Sequence, residues 1–429
     1  MTWGKLQNIM LTTRIGRSLA DALFRSRARR RLVQLDQDRT QRGQYRALTS
    51  LVHRARQTHF GRDHDFQRIR NALDFRRLVP LRSPSEIWQQ YGRPYLPDLK
   101  DCVWPGVISF LATCESADES LRAPLTVTSQ LGETHRDALL TALAFVQSAR
   151  PHARLLSGSL LLLGGGVALT PVRDRAARYT LENLVLREMP GVLRPFTIAS
   201  PQSGIASLQS LTQRARTTSI TTIVTSASRL IRLWSLLQKQ AKAQSLLDLW
   251  PQLTAIIFAR SSGENERERI QKMLGHHPQA SSVLLLESVI HPQGVIAIED
   301  PRYGQLRLLG QHGIYFELVE REPRGERARR LELFEAEPGV PYSLVMTSPA
   351  GIWAMLIGMT VVFDSVEPPL IREIRWEQST RSTLSSSLFH SHSASTLNRP
   401  VGHRSPEDTP ARHPEKLSRS LWSRREDQR

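Results

Sequence analysis

The sequence predicts a large α/β domain over residues 43–376. Two kinds of pattern alternate in this region, namely apolar residues at helical spacing and short apolar runs that are typical of strands. Helical spacing is clearest in residues 136–146 and 230–237. Residues 160–163 are continuously apolar and lead into three glycines, which predicts a buried strand that ends in a turn.

Shorter apolar runs follow in the second half of this domain and predict further strands. Glycine, proline and acidic turns separate them, and they span residues 295–298, 306–309, 314–318, 342–346 and 361–363. The longest apolar stretch, residues 350–363, falls short of the roughly 20 residues that cross a bilayer. We therefore expect it to be buried core.

A basic segment, residues 1–42, precedes the α/β domain. It holds ten cations and three acids, and five arginines between residues 25 and 31 follow Leu19, Leu23 and Phe24. This pattern predicts a basic amphipathic helix. We favour a helix that lies on its own domain with its arginines in water, and the alternative is contact with nucleic acid or another anionic surface.

The last segment, residues 377–429, differs in composition from the rest. Twelve of its 53 residues are serine and four are histidine, and aliphatic residues are sparse. So little apolar surface cannot offset the entropy of ordering the chain. We expect a disordered tail.

Charge and cysteine content exclude several classes of protein. The chain has 58 Lys and Arg, of which 52 are Arg, against 40 Asp and Glu, and its formal net charge is +18. Its mean hydropathy of −0.32 excludes a polytopic membrane protein. Cys102 and Cys114 indicate neither a disulfide framework nor a zinc site. With no signal peptide pattern at the start, the expected location is cytoplasmic.

Local motifs taken alone give weak signals. The glycines at 164–166 follow a strand, as phosphate-binding loops do, but they lack the spacing of a dinucleotide or P-loop motif. Asp63, His64 and Asp65 are adjacent, so a surface turn is a better interpretation than a catalytic cluster. No serine lies in a G-x-S-x-G motif, and hydrolase chemistry therefore has no support.

Several short landmarks occur in an order that resembles a known family. They are THFGRDHDF at 58–66, LWP at 249–251, GIYFEL at 313–318 and GVPYSLVMT at 339–347. Over roughly residues 50–376 the sequence is similar to the auxin-responsive promoter family of acyl-acid amido synthetases. That family belongs to the adenylate-forming superfamily, whose members activate a carboxylic acid with ATP. Members of the family then pass the acyl group to the amine of an amino acid.

The resemblance implies an adenylate-forming-like large domain, with sheets flanked by helices and a β-barrel portion. It also implies a nucleotide site built from three blocks, and this sequence departs from each. The family's Ser/Thr/Gly-rich phosphate loop corresponds to residues 113–122, where Thr113, Ser116 and Arg122 are the candidate contacts. Three carboxylates, Glu115, Asp118 and Glu119, stand where a polyanion would bind, and glycine is absent.

The second and third blocks also lose groups that the family uses. Where the family has Glu-Gly, this chain has Gln293 and Gly294, and neutral Gln does not supply the charge that Mg²⁺ prefers. Where the family has Gly-Asp, whose Asp binds the ribose, this chain has Gly358 and Met359. The family's closing C-terminal domain is expected after residue 375, where the serine-rich tail begins instead.

These departures predict a catalytically silent homologue, with no catalytic residue and no resident metal. ATP and magnesium are expected as cofactors, and a small carboxylic acid as partner, only if the site still works. One alternative is a divergent, active acid–amino acid ligase in which Glu115, Asp118 or Glu119 binds magnesium. The other is a basic polyanion-binding protein that uses the arginine-rich ends, with no specific nucleic acid as partner.

Overall fold

The computed structural model describes residues 14–113, 123–163, 168–172, 179–189, 197–199, 216–241, 243–260, 265–320 and 329–376. The chain divides into two units, Met1–His390 and Ser391–Arg429, and all described residues belong to the first. The predicted tail and Cys114 lie outside the described residues, as do the glycines at 164–166.

Ten α-helices are seen in the described residues. They are α1 (Arg14–Gln37), α2 (Thr40–Ala55), α3 (His59–Asp63), α4 (Ala72–Leu78), α5 (Pro84–Ile87), α6 (Ser129–Ala149), α7 (Leu181–Glu188), α8 (Ala227–Ala241), α9 (Leu246–Leu249) and α10 (Glu266–Leu274). Side chains cap several of them at the N-terminus. The Thr128 side chain accepts a hydrogen bond from the Leu131 amide at the start of α6, and the side chains of Ser83 and Ser245 cap α5 and α9 in the same way. No helix among the described residues is both long enough and apolar enough to span a membrane.

Sixteen strands are seen in the described residues. They are β1 (Phe110–Thr113), β2 (Pro124–Val127), β3 (Ser159–Leu162), β4 (Ala168–Pro171), β5 (Tyr179–Thr180), β6 (Thr197–Ala199), β7 (Ile220–Ser226), β8 (Ala255–Ala259), β9 (Leu284–His291), β10 (Gly294–Asp300), β11 (Gln305–Leu308), β12 (Tyr315–Glu320), β13 (Arg330–Glu332), β14 (Pro341–Ser348), β15 (Ile352–Val366) and β16 (Pro369–Trp376). Four of them, in the order β2-β1-β4-β5, form a small antiparallel sheet.

The other twelve strands form one large sheet in the order β13-β12-β14-β15-β16-β11-β10-β9-β8-β7-β3-β6. Strands β6, β3, β7, β8 and β9 are parallel. From β9 onwards the pairing is antiparallel. The strands that we expected to include a barrel portion thus extend the large sheet as its antiparallel half.

Both faces of the parallel half are covered by helices, as its sequence requires. In β8, Ala255 and Ile257 pack into a core with α1 and α6, whereas Ile256 and Phe258 pack into a core with α8, α9 and α10. Successive residues of a strand point to opposite faces, so a continuously apolar strand needs cover on both sides. This explains why β8 is apolar along its whole length.

The helices and strands predicted from periodicity are confirmed. Residues 136–146 and 230–237 lie within α6 and α8, and residues 160–163 coincide with β3 to within one residue. The predicted basic helix is α1, and its inner face packs on α6. The predicted boundaries at 42 and 376 remain predictions, because nothing tests them.

Candidate functional site

The carboxyl ends of the parallel strands lie at one edge of the large sheet. Strands β3, β7, β8 and β9 run in the same direction, and β9 ends at His291. Open α/β sheets bind their ligands at this kind of edge. The turn from β9 into β10 is therefore the candidate site. It contains Gln293 and Gly294, the candidate contacts of the second block.

The backbone of this turn is tightly constrained. His291 pairs with Gly294 across the β9–β10 hairpin, and the backbone amide of Gln293 donates a hydrogen bond to Nδ1 of His291 at 3.2 Å. Gly294 has a φ of 155°, which L side chains rarely adopt, and a Cβ atom at this position would also push Cδ1 of Ile314 aside, so glycine is favoured here. Gly294 therefore has a packing role whether or not a ligand binds.

The Gln293 side chain is fully buried, with 0% of its surface exposed. Neither its Oε1 nor its Nε2 has a hydrogen-bond partner among the described residues. Each buried polar group left unpaired costs roughly 1–3 kcal/mol. The glutamine thus contributes two polar atoms to this turn but no charge.

Two buried histidines lie close to this turn. Burial lowers the pKa of His135, on α6, to about 4, and burial together with the charge of His135 lowers the pKa of His291 to about 3. Nε2 of His135 has no hydrogen-bond partner among the described residues. Both imidazoles are neutral at pH 7, because their pKa values lie well below it.

The third predicted block approaches the same place through Trp376. The Trp376 ring stacks on His291, with 6.5 Å between ring centroids, and the Trp376 backbone pairs with Met359 across β15 and β16. Met359 is 0% exposed, and Gly358 has a left-handed backbone with φ of 66°. The structure therefore brings the region of Gly358 and Met359 to the β9–β10 turn.

The first block is described only at its borders. Thr113 ends β1 and pairs with Pro124 of β2, while Ser116, Arg122, Glu115, Asp118 and Glu119 lie outside the described residues. Beyond the block, the Thr126 hydroxyl donates to the Ala350 carbonyl, and the Thr128 hydroxyl donates to the Pro349 carbonyl at 2.6 Å. These bonds join β2 and the start of α6 to the turn between β14 and β15.

His64 is buried rather than in the surface turn that we expected for the Asp63-His64-Asp65 motif. Its ring stacks on Phe60 at 4.1 Å, and its Nδ1 lies 2.9 Å from the Phe60 carbonyl oxygen. Burial is the largest cause that lowers its pKa, to about 4. Asp63 and Asp65 are exposed, so the three residues do not converge.

Sequence reasoning missed His135 and Trp376. A signal for His135 was present, since it lies four residues after Leu131 and four before Leu139, on the apolar face of α6. Trp376 gave no local signal, because its contact with His291 joins distant parts of the chain. Among the described residues, no group of three His, Cys, Asp or Glu side chains could hold a metal ion.

Parts of this chain are similar to known proteins in sequence and in structure. The profile of the GH3 family N-terminal domain matches residues 30–112. The AtGH3.15 acyl acid amido synthetase in complex with 2,4-DB is similar in structure, with a TM-score of 0.60 and 14% sequence identity over 81% of this chain and 70% of that one. A second structure, of GH3.15 acyl acid amido synthetase, has a TM-score of 0.58 and 13% identity over 79% and 69% of the two chains.

A CoA ligase is similar as well. The 2-hydroxyisobutyryl-CoA ligase in the postadenylation state, in complex with 2-HIB-AMP, matches with a TM-score of 0.50 and 13% identity over 76% of this chain and 65% of that one. No curated protein sequence matches this chain. The resemblance to acyl-acid amido synthetases is confirmed: residues 30–112 match the GH3 family N-terminal domain, and the fold of the chain is similar to that of the two acyl acid amido synthetase structures.

Proposed function

We propose that this chain is a homologue of the acyl acid amido synthetases that does not form an acyl adenylate. The fold supports descent from ATP-dependent carboxylate activation. We also propose a small carboxylic acid as the bound molecule, a partner that the sequence analysis expected only of a working site, because one similar structure, of an acyl acid amido synthetase, holds 2,4-DB. The proposal keeps the cytoplasmic location expected from the sequence.

The observation that carries the proposal is the uncharged, buried character of the β9–β10 turn. Gln293 replaces the glutamate that the resemblance implies, and the two nearby histidines are neutral at pH 7 because burial lowers the pKa of His135 to about 4 and of His291 to about 3. Mg²⁺ prefers carboxylate oxygens and holds its octahedral shell strictly. A buried amide between neutral rings does not suit a magnesium–triphosphate complex.

The third block supports the same conclusion. Met359 stands where the resemblance implies a ribose-binding aspartate, and its side chain is fully buried beside β16. A thioether accepts hydrogen bonds only weakly, whereas a carboxylate accepts two strong ones. Losing charge-assisted bonds of roughly 1.5–3 kcal/mol each would weaken nucleotide binding by one to two orders of magnitude per bond.

Catalysis depends on groups aimed at the charge that develops in the transition state. In adenylation that charge develops on the phosphates, and the described residues of blocks two and three place no cation or metal-binding carboxylate there. The described residues of these two blocks therefore do not fit ATP with magnesium.

Carboxylate-dependent exchange of labelled pyrophosphate into ATP tests the proposal directly. A panel of aryl, alkyl and hydroxy acids should give no exchange above the background without acid. An acyl acid amido synthetase in the same assay is the positive control. Exchange that depends on one of these acids and on Mg²⁺ would refute the proposal.

A further inference from the structure

The outer face of α1 carries an unusual concentration of exposed apolar side chains. Ile15 is 84% exposed, Leu19 and Leu23 are each 52% exposed, and Val33 is 45% exposed. They are four of the nine large apolar side chains that are exposed among the described residues, and so the exposed apolar surface is concentrated on one helix. Ile15, Leu19 and Leu23 are spaced four residues apart and form a continuous row.

The inner face of the same helix is already occupied. Ala20, Phe24, Ala28 and Leu32 are buried in a core shared with α6. The helix is fixed further by Arg31, whose Nε donates to the Thr141 hydroxyl at 2.7 Å. Within the described part of the chain, the exposed row is therefore the free face of the helix, since its core face is already packed.

Positive charge borders the apolar row on the outside. Arg25, Arg27, Arg29 and Arg30 are exposed. The acids of the helix balance them only in part: Asp21 interacts electrostatically with Arg25, but it is 1% exposed and accepts a hydrogen bond from the Leu156 backbone amide at 2.8 Å. Asp36 is paired with Arg302 and Arg307, both at 2.6 Å. The outer face thus combines aliphatic side chains with unbalanced cations.

We propose that the outer face of α1 binds the surface of membranes that contain anionic lipids. Helices that lie in the membrane interface have this composition, with aliphatic side chains that enter the boundary between headgroups and acyl chains and with cations that reach the lipid phosphates. The long arginine side chains can extend to the phosphates while their stems cover apolar surface. The chain would lie on the membrane, without crossing it.

Two other partners fit this face less well. Nucleic acids are held through their phosphates, and a row of Ile15, Leu19 and Leu23 adds nothing to such contacts. A second copy of the chain would bring two arginine-bordered faces together, and this like-charge approach opposes pairing. An anionic lipid surface satisfies both the apolar row and the arginines.

Flotation of the full chain with lipid vesicles tests this inference. We expect binding to vesicles of phosphatidylcholine and phosphatidylglycerol, weakening at high salt, and little binding to phosphatidylcholine alone. Leu19→Ser with Leu23→Ser should weaken binding by about tenfold or more, since two aliphatic side chains no longer enter the interface. Replacing Arg25, Arg27, Arg29 and Arg30 by Gln should weaken it by at least as much.

Matched variants separate this face from a general effect of net charge. Leu73→Ser removes another exposed apolar side chain, on α4, and should leave vesicle binding unchanged. Replacing four other exposed arginines, Arg42, Arg54, Arg56 and Arg70, by Gln removes the same charge from other places and should change binding by less than about threefold. Thermal unfolding of each variant checks that the fold is kept.

Three outcomes would overturn the inference. The first is no binding of the wild-type chain to anionic vesicles. The second is an equal loss in both four-arginine variants, which would show that net charge alone attracts the chain. The third is tight binding to duplex DNA that the α1 arginine variant loses and the Leu19→Ser, Leu23→Ser variant keeps, since that would identify a nucleic-acid face.

Discussion

At the scale of single residues, the β9–β10 turn owes its character to Gln293 and the two histidines near it. All three side chains are buried and uncharged at pH 7. Polar groups in such a place add little to the free energy of unfolding, because they lose their hydrogen bonds to water and gain no protein partners in return. The turn is therefore sensitive to any charge that is introduced into it.

The variant Gln293→Glu should lower the free energy of unfolding by a few kcal/mol at about pH 8, because the new carboxylate would be buried without a partner. Burial would raise its folded pKa above the unfolded value of about 4.3, so the loss grows as pH rises from there and is small in acid. Urea unfolding across this pH range measures it.

Gln293→Leu is the matched control for that experiment. It removes both unpartnered amide atoms at similar volume and should be neutral or slightly stabilising. If the Glu variant proved as stable as the Leu variant at high pH, the turn would have to supply a partner for a carboxylate. The uncharged character that supports the proposed function would then be wrong.

Buried His135 should make stability depend on pH. Burial lowers its pKa in the folded chain from 6.5 to about 4, so the unfolded chain binds the proton more readily between these values. The stability that neutral His135 contributes is complete above pH 6.5 and is lost as pH falls towards 4. His135→Gln should therefore recover up to about 3 kcal/mol of the acid-induced loss.

Urea midpoints measured from neutral pH down to the acid limit test this effect. The control is His152→Gln, which makes the same substitution at an exposed histidine. Identical pH profiles for wild type and His135→Gln would contradict the assigned burial. His64, His291 and His312 remain in both proteins, so part of the acid sensitivity persists.

At the scale of secondary-structure elements, an ion-pair network joins α1 to the sheet. Nη1 of Arg307 lies 2.6 Å from Oδ1 of Asp36, and its Nη2 donates to the Leu35 carbonyl at 2.8 Å. Arg302 bridges Asp36 and Asp300, both at 2.6 Å. Burial alone would raise the pKa of Asp36, but hydrogen bonds from the two arginines lower it below its usual range.

Arg307→Leu should destabilise the chain by about 3 kcal/mol, because it leaves fully buried Asp300 with one cation and removes the bonds to Asp36 and Leu35. Arg375→Leu is the control: the pair of Arg375 with Glu373 has side chains that are 77% and 46% exposed and should contribute less than about 1 kcal/mol. Equal changes in urea stability for both variants would contradict the anchoring role of Arg307.

Local patterns predicted the elements well, and long-range contacts explain what they did not predict. The helix α6 follows from the helical spacing of its apolar residues, and the strand β10 follows from a short continuous apolar run. The order of strands in the large sheet did not follow, since it depends on pairings such as that of β11 with β16, about 60 residues apart. The resemblance located Gln293 and Gly294, but not the imidazole of His135 or the indole of Trp376 near them.

At the scale of the whole molecule, two properties are combined. One is a fold similar to that of an acyl acid amido synthetase, whose parallel half has its carboxyl edge lined, at β9, by neutral side chains. The other is a basic helix that is packed on one face and exposed on the other. We infer a chain that binds small acids and a lipid surface and does not activate the acid.

Calorimetric titration of the full chain with ATP and Mg²⁺ tests the central claim most directly. Because the β9–β10 turn supplies no charge, the account predicts no binding heat that depends on both ATP and Mg²⁺, with or without a carboxylic acid. Saturable, magnesium-dependent binding with a micromolar or lower dissociation constant would contradict it.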